Sequence, residues 1–375
     1  MKKNLIALAV ATAFVAPTMA SAETSVYGLA QVELSSHDPE ADTGCSASAG
    51  GAKCDSYLNE VDNANGRVGV KASEDLGNGW EGLAKFEFKA DTADNATGSG
   101  IALASRESMV GLKGKGVGQF ELGRLKSPYK YSGGVKYDPF VATNLEARNN
   151  GGMTGGDYGS GGFLSNTIGY RGNFGPVKVQ FVYGPQTNDG MYALSALYAQ
   201  DNFEVGVAAI DEGDRDSGAG FGTIASGSDY LTYSSTKIFG KYTMGMHTIV
   251  AQYEMTDPST SNPAPGDKTY KPTFMFLGYH ATMGKNMFVV EYGSMDADGA
   301  TATVGTAEKS LDTTMLVLGV VHKMSKTTRI FGGYRSTSND AKMGIAGSGS
   351  STIDKLYLND PTESVITVGL RKDFK

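Results

Sequence analysis

The sequence predicts an all-β protein, a transmembrane antiparallel β-barrel of about sixteen strands. Segments of about nine to eleven residues, each apolar on one face, recur along most of the chain. Glycine accounts for 51 of 375 residues, about twice its usual share, which favours turns over helices. Long polar loops alternate with short turns, and the short turns fall near residues 78, 116, 175, 201, 245, 285 and 326.

A soluble β-sandwich or jelly roll is the alternative architecture, because its strands also alternate between apolar and polar residues. Strands in such folds average about five or six residues. Their connections would not sort so strictly into short turns and long loops. The pattern therefore favours the barrel.

The first 22 residues have the features of a cleaved secretory signal peptide, which leaves residues 23–375 as the barrel domain. Met1-Lys-Lys is the basic start, Leu5 to Ala16 is the apolar core, and Ala20-Ser-Ala22 is a small-residue cleavage site. The apolar core is too short for a transmembrane helix, which needs about twenty residues.

The two cysteines, Cys45 and Cys54, lie in one loop rich in glycine, serine and alanine. In an exported protein we expect them to form a disulfide. Two free thiols are the alternative. Their spacing excludes a CxxC redox or zinc motif.

Alternation within each strand separates a lipid face from a lumen face. In the strand from Val177 to Gly184, valine and aromatic side chains share one face, and Lys178 and Gln180 share the other. A charge on the lipid face costs about 2–4 kcal/mol near the midplane. The alternation of side chains along these strands nevertheless sets Glu107 and Arg124 on the lipid face. Either the strand register differs from the predicted one there, or another part of the protein covers this side of the barrel.

The longest loop, Lys130–Ser165, has nine glycines and neither a sustained strand period nor a helical one. Structureless connections longer than about fifteen residues are functional or disordered. Apolar and aromatic side chains, including Tyr131, Phe140 and Leu145, require cover. We therefore expect an ordered loop packed in the lumen. Alternation is unclear in two later segments, Tyr230–Thr236 and Phe274–His280.

Several stretches make the chain resemble the general porins of Gram-negative outer membranes, over essentially all of the region after the signal peptide. These are Ser25-Val-Tyr-Gly, Asn65-Gly-Arg-Val-Gly-Val-Lys-Ala-Ser-Glu-Asp-Leu-Gly, Val110-Gly-Leu-Lys-Gly with Gly118-Gln-Phe-Glu-Leu-Gly-Arg, and Val368-Gly-Leu-Arg-Lys-Asp-Phe374. The resemblance implies a homotrimer in the outer membrane and a water-filled channel for small hydrophilic solutes and ions. It also implies that Lys130–Ser165 is a third long loop that folds into the lumen and narrows the pore.

The resemblance also supplies candidate residues for the constriction, where enteric members set wall arginines against acids on the inward loop. The residues at these positions are Arg67, Arg106, Arg171, Asp138, Glu146 and Asp157. Parity directs the three arginines inward. Leu29 stands where enteric porins often have an inward lysine, which implies a less basic or differently shaped pore.

Two further expectations follow from the resemblance. Phe374 is the terminal aromatic residue that the assembly machinery reads in these porins, although here Lys375 follows it. The first strands form the subunit contact in this family, and such a contact would cover an outward Glu107 and Arg124.

Charge and motif content argue against several other classes of protein. A net charge of −7 with scattered lysine and arginine argues against a nucleic-acid partner. The sequence has no Gly-x-Ser-x-Gly motif and no suggestive Ser/His/Asp order, so neither an enzyme nor a cofactor is expected. The histidines show no metal-ligand spacing; they are His37, His247, His280 and His322.

A substrate-specific channel is the nearer alternative, and an outer-membrane barrel enzyme or adhesin is the more distant one. The sequence does not distinguish anion from cation preference. The acidic run Asp211–Asp216 has the residues to hold divalent cations between lipopolysaccharide phosphates, but a solvated surface is the favoured reading.

Export predicts a definite amino terminus. Mass spectrometry of protein from the outer membrane should show a chain that starts at Glu23, because cleavage follows the small residue Ala22. Ala22→Gln should leave uncleaved precursor, whereas the matched change Ser21→Ala should not. An intact chain beginning at Met1 as the major membrane species would contradict the export argument.

Overall fold

The computed structural model describes residues 23–39, 58–62, 66–90, 92–93, 105–148, 153, 161–185, 190–213, 231–260, 271–299, 301–304, 307–310, 312–339 and 363–375. Cys45, Cys54 and Asp157 lie outside these residues. The strands in the first half are β1 (Glu23–Pro39), β2 (Leu58–Asp62), β3 (Gly66–Gly77), β4 (Trp80–Ala90), β5 (Ser105–Gly114), β6 (Gly118–Lys126), β7 (Phe163–Phe174), β8 (Val177–Gly184), β9 (Met191–Gln200) and β10 (Phe203–Asp211). The strands that follow are β11 (Leu231–Met244), β12 (His247–Thr260), β13 (Thr273–Met283), β14 (Asn286–Asp296), β15 (Thr301–Val304), β16 (Ala307–Ser310), β17 (Thr313–Lys323), β18 (Thr328–Asn339) and β19 (Glu363–Phe374).

These strands form a closed antiparallel barrel with sixteen strand positions. Each barrel strand pairs with the next along the chain, and β19 returns to pair with β1. The main sheet has 17 strands, of which β2 and β3 share one position, because β1 pairs with β3 near its start and with β2 near its end. The β15–β16 hairpin stands outside this sheet. The predicted barrel is confirmed.

Helical structure is confined, in the described part, to α1 (Gly134–Tyr137) between β6 and β7. No helix among these residues has the length and apolar character that a membrane crossing requires.

The short turns fall where the sequence predicts them. Asn78 and Gly79 both have positive φ, as a two-residue hairpin turn of the primed type requires. Gly175, Gly245 and Gly284 supply positive φ at three further turns. These turns join neighbouring strands at one end of the barrel, so the longer connections are left to the other end.

The predicted lipid and lumen faces are confirmed in the strands where the alternation of apolar and polar residues is clear. In β8, Phe181 and Tyr183 are exposed on the outside, whereas Val182 is buried on the lumen side. In β10, Val205 and Val207 face outward in the same manner. The exposed apolar side chains of successive strands form the outer band that a bilayer covers.

The outward prediction for Glu107 is wrong. Glu107 shares the buried side of β5 with Met109, opposite the exposed Val110, and its carboxylate bonds to Lys85 Nζ. A β-bulge follows this side: Phe86 pairs with Ser108 and Phe88 with Ser105, so two residues of β5 oppose Glu87. Arg106 therefore also reaches the lumen side, although alternation from Glu107 would set it outward.

The segment Phe274–His280 alternates regularly after all. Phe274 and Phe276 are buried on the lumen side, and Met275 and Leu277 are exposed outside. The alternation was unclear in the sequence because both faces are apolar. Apolar side chains on the lumen face must be shielded from water, and the connection between β6 and β7 packs against them.

Phe374 lies at the closure of the barrel. Its ring lies over Gly28 of β1, where an added Cβ would come 2.5 Å from Phe374 Cζ and 2.3 Å from the Arg67 carbonyl oxygen. Gly28 therefore allows the last strand to seat its aromatic end. The assembly role of Phe374 stays a prediction.

The lipid face can be tested by adding a charge to each side of the wall. Leu318 is exposed near the middle of β17, so Leu318→Arg should cost about 2–4 kcal/mol of barrel stability. Gln180→Glu, on the lumen side of β8, should cost much less because Arg171 already donates to this side chain. Heat-modifiability on gels and urea unfolding in lipid would measure both. Equal destabilisation by the two variants would contradict the assigned faces.

Candidate pore constriction

The connection between β6 and β7 spans residues 127–162, close to the predicted Lys130–Ser165. It is described as far as Arg148, and again at Met153, Gly161 and Gly162. Turn bonds open it, with Tyr131 N donating to the Ser127 carbonyl oxygen and Ser132 N to that of Tyr129. α1 follows and stops at Asp138, whose extended backbone suits the proline after it.

The barrel wall supplies hydrogen-bond partners to the backbone of this connection. Gly134 N donates to Gln252 Oε1 of β12 at 2.7 Å. On the opposite wall, Asn144 N donates to Glu33 Oε1 of β1 at 2.8 Å, and Gln31 Nε2 donates to the Ala142 carbonyl oxygen at 3.1 Å. Backbone groups outside a strand ladder need such partners when buried. The connection is thereby attached to two separate parts of the lumen-facing wall.

The two described loop acids bond mainly within the connection itself. Asp138 accepts bonds from Phe140 N at 2.6 Å and from Ala147 N at 3.0 Å. Glu146 accepts from Ala142 N at 2.6 Å and forms an ion pair with Arg148 at 2.6 Å. These carboxylates thus stabilise the fold of the loop.

Asp138 also borders a cavity beside the loop. Burial, together with the neighbouring Glu291, raises the pKa of Asp138 well above its usual range, although the two amide hydrogens lower it. Burial thus opposes ionisation of Asp138, while the two amide donors favour it.

Apolar side chains form a second attachment of the connection to the wall. Phe140, Leu145 and Met153 are fully buried. The Phe140 ring fits against Gly319 of β17, where an added Cβ would lie 2.4 Å from Phe140 Cζ. Lumen-facing aromatic side chains, such as Phe276, belong to the same cluster. This contact explains why the inner face of these strands is apolar.

A third attachment fixes the start of the connection. Tyr129 Oη donates to Glu254 Oε2 of β12 at 3.1 Å. Lys237 Nζ of β11 lies 4.4 Å from the Tyr129 ring centroid and 3.3 Å from the Ser132 carbonyl oxygen. A buried lysine is thus matched by an aromatic face and by carbonyl and carboxylate oxygens.

Arg106 and Arg171, two of the three predicted wall cations, are engaged by carboxylates of the wall. Arg106 Nε lies 2.8 Å from Glu87 Oε1. Arg171 Nε lies 2.8 Å from Glu121 Oε2, and its Nη2 lies 3.4 Å from Glu107 Oε1. Their positive charge is therefore largely balanced locally. The structure does not bring them against Asp138 or Glu146 through any described hydrogen bond or ion pair.

A cavity of about 380 Å³ separates the connection from the wall of β1, β3, β6, β18 and β19. Five cationic side chains and one carboxylic acid, Asp138, line it. The cations are Arg67, Lys126, Lys136, Arg329 and Arg371. Of these, sequence reasoning found Arg67 alone. Strand alternation could also have placed Arg371 on the lumen face of β19, because Ile366, Val368 and Leu370 define the opposite, lipid face.

No group of three or more potential metal ligands (His, Cys, Asp or Glu) occurs within the described ranges. The charged groups that line the cavity are mainly guanidinium and ammonium groups.

Loosening the apolar attachment should make the loop mobile without opening the barrel. Phe140→Ala removes a fully buried ring, a change that costs about 3–5 kcal/mol in packed interiors. We expect increased current noise in single-channel recordings and faster proteolysis of the loop. Val141→Ala, at a half-buried neighbour, should leave both unchanged. Quiet currents in Phe140→Ala would show that this ring does not hold the loop.

Comparisons with known proteins place these features in a family. The family model described as "Gram-negative porin" matches residues 7–342. The major outer membrane protein P.IB of Neisseria meningitidis serogroup B is 35% identical over 36% of this chain, and the match spans only 37% of that protein's length. Its counterpart from Neisseria gonorrhoeae is 27% identical over 68% of each chain.

Solved structures show the same fold. The anion-selective porin from Comamonas acidovorans superposes with a TM-score of 0.69 at 20% identity, covering 94% of this chain and 100% of that one. The outer membrane protein OmpT of Vibrio cholerae, in its trimer form, gives 0.62 at 17% identity, covering 94% and 100%. With a sixteen-strand barrel and a family match over most of its length, the chain belongs to the Gram-negative porin family.

Proposed function

We propose that the protein is an outer-membrane channel through which small hydrophilic solutes and ions diffuse passively. The closed barrel has an apolar outer band and a lumen lined by charged groups, which suits a water-filled path. Members of the family are channels rather than enzymes, which also supports this function.

Residues 127–148, in this proposal, lie in the lumen and narrow the channel. The contacts with Gln252, Glu254 and Gly319 on one side, and with Gln31 and Glu33 on the other, support this placement. The cavity beside the segment would then be the passage.

The narrow passage would favour anions, and its charge is the observation that carries this part of the proposal. Five cations and one acid line the cavity, although three of the cations, Lys126, Lys136 and Arg371, also pair with Glu107, Glu204 and Asp373. Two unit charges about 4 Å apart interact by about 1 kcal/mol in bulk water and by more where water is restricted. A few such terms are enough to shift the permeation of chloride over potassium several-fold. The name of the Comamonas structure, an anion-selective porin, agrees with this preference.

A homotrimer in the outer membrane, next to lipopolysaccharide, completes the proposal. The Vibrio structure described as a trimer form supports this assembly for the present chain. The outer apolar band, exposed in one protomer, would be shared between lipid and neighbouring subunits.

Purified protein in a planar bilayer should give stepwise currents, and under a potassium chloride gradient the reversal potential should indicate anion preference. Lys126→Gln combined with Lys136→Gln should reduce that preference, since both side chains line the cavity. Lys113→Gln with Lys271→Gln removes the same charge from exposed positions paired with Glu81 and Asp257, and should have little effect.

Two outcomes would count against the proposal in different ways. Failure to form steps at all would contradict the channel. Cation preference in the parent protein would contradict the role given to the cavity but leave the channel standing.

A further inference from the structure

Four exposed lysines form a basic surface at the end of the barrel that carries the short turns, over its last strands. In barrels of this class the short turns lie on the periplasmic side. Lys285 lies in the β13–β14 turn, Lys323 and Lys326 lie at the β17–β18 turn, and Lys372 lies near the end of β19. We call these four residues the lysine rim.

Hydrogen bonds hold the three strand ends of the lysine rim side by side. Lys323 N donates to the Lys285 carbonyl oxygen at 2.8 Å, and Asp373 N donates to the Thr327 carbonyl oxygen at 2.8 Å. Lys372 Nζ donates to Thr327 Oγ1 at 2.9 Å. The lysine rim is therefore one surface fixed by the barrel, because its charges do not stand on independent loops.

The lysine rim has no carboxylate to balance it. Lys285, Lys323 and Lys326 form no ion pair within the part of the chain that the structure describes. The one acid in the segments 283–286, 323–328 and 371–374 is Asp373, whose carboxylate already accepts from Arg371 Nη2 at 2.7 Å. The charge of the lysine rim is thus left for a partner outside this chain.

The first half of the barrel differs at the same end, because acids there accompany the lysines. Lys113 Nζ, next to the β5–β6 turn, lies 2.8 Å from Glu81 Oε2. Glu74 and Asp75 add two negative charges near the end of β3, and Asp201 lies in the β9–β10 turn. An excess of positive charge is therefore a property of the lysine rim and not of every short turn.

Apolar side chains on the outer face lie directly beside the lysine rim. Met283 and Met324 are exposed at two of its strand ends, and Phe288 and Leu370 are exposed on the outer face of β14 and β19. Lysine has a long apolar stem and a charged head, so it can follow such a face to the membrane boundary. The surface thus combines an apolar wall with ammonium groups at its edge.

An anionic phospholipid matches both parts of this surface. Its acyl chains would cover the apolar wall, and its phosphate would pair with ammonium groups, which commonly bind phosphate in proteins. A basic residue close to an anionic membrane surface improves binding about fivefold. A zwitterionic phospholipid gains less, because its own cation lies next to its phosphate, and a soluble anionic polymer would leave the apolar wall without contacts.

We propose that the lysine rim binds anionic phospholipids of the periplasmic leaflet in preference to zwitterionic ones. The inference goes beyond the proposed function, because lipid binding at the outer edge of the barrel does not require conduction through the lumen.

Quenching by brominated lipids tests the proposal at a defined place on the assembled barrel. Trp80→Phe removes the single tryptophan of the chain. In that background, Phe288→Trp places an indole beside the lysine rim, and Phe203→Trp places one on the outer face beside Asp201. Each protein would be reconstituted in phosphatidylcholine with brominated phosphatidylglycerol or, separately, brominated phosphatidylcholine of the same chain length. Phosphatidylglycerol should bind about fivefold more tightly than phosphatidylcholine at Phe288→Trp and equally at Phe203→Trp.

Removal of the unpaired lysines should abolish this preference. Lys285→Gln, Lys323→Gln and Lys326→Gln combined should bring the two lipids to equal affinity at Phe288→Trp. Salt should weaken the preference of the parent, since the Debye length falls from about 10 Å at 0.1 M to about 3 Å at 1 M. Heat-modifiability of every variant should confirm that the barrel assembles.

A matched control removes the same number of charges from the same end of the barrel. Lys113, Lys115 and Lys178 are exposed near the short turns of the first half. Lys113→Gln, Lys115→Gln and Lys178→Gln combined should leave the lipid preference at Phe288→Trp unchanged.

Equal affinity of the two lipids at Phe288→Trp with all lysines present would overturn the proposal. An equal loss of preference in the two triple variants would also overturn it, because only the total charge would then matter. Binding to isolated peptidoglycan that the lysine rim variant loses, without any lipid preference in the parent, would identify the cell wall as the partner instead. Each of these results would leave the proposed channel standing, since conductance is measured separately.

Discussion

The constraint on which the site depends is the need of irregular backbone for hydrogen-bond partners when it is buried against a barrel wall. Non-helical backbone at membrane depth is tolerated only where protein or a water-filled cavity satisfies it. Gln252 and Glu33 meet this need from two walls, and Asp138 and Glu146 meet it from within the loop. Asp138 and Glu146 are used in this manner, so they hold the loop together and form no described ion pair with Arg106 or Arg171.

Much of the fold was predictable because a membrane barrel repeats one simple rule many times. Strand alternation and turn chemistry, as at Asn78-Gly79, recur often enough for weak signals to add up. The errors arose where the rule breaks. A bulge in β5 lets Arg106 and Glu107 both face the lumen, and the loop-covered face made Phe274–His280 apolar on both sides. Both features depend on contacts between distant parts of the chain, which periodicity does not contain.

The candidate site was less predictable, for a reason that particular residues make clear. Parity directs Arg67, Arg106 and Arg171 alike into the lumen, but only the positions of partners such as Glu87 and Glu121 show which charges are balanced. Similarly, the sequence does not show whether an acidic residue in a loop faces water or, like Asp138, accepts hydrogen bonds from backbone amides. The sequence identifies the charged residues, and only the structure shows which of their charges are balanced by an ion-pair partner.

The most direct measurement of the central claim is a cross-link between loop and wall in a conducting channel. With Cys45 and Cys54 replaced by serine, Glu33→Cys and Asn144→Cys would be joined by a short bifunctional thiol reagent. Asn144 N lies 2.8 Å from Glu33 Oε1, so the cross-link should form and leave conductance and reversal potential unchanged. No cross-link in a conducting channel, or a cross-link that alters the current, would show that the loop does not occupy this position during conduction.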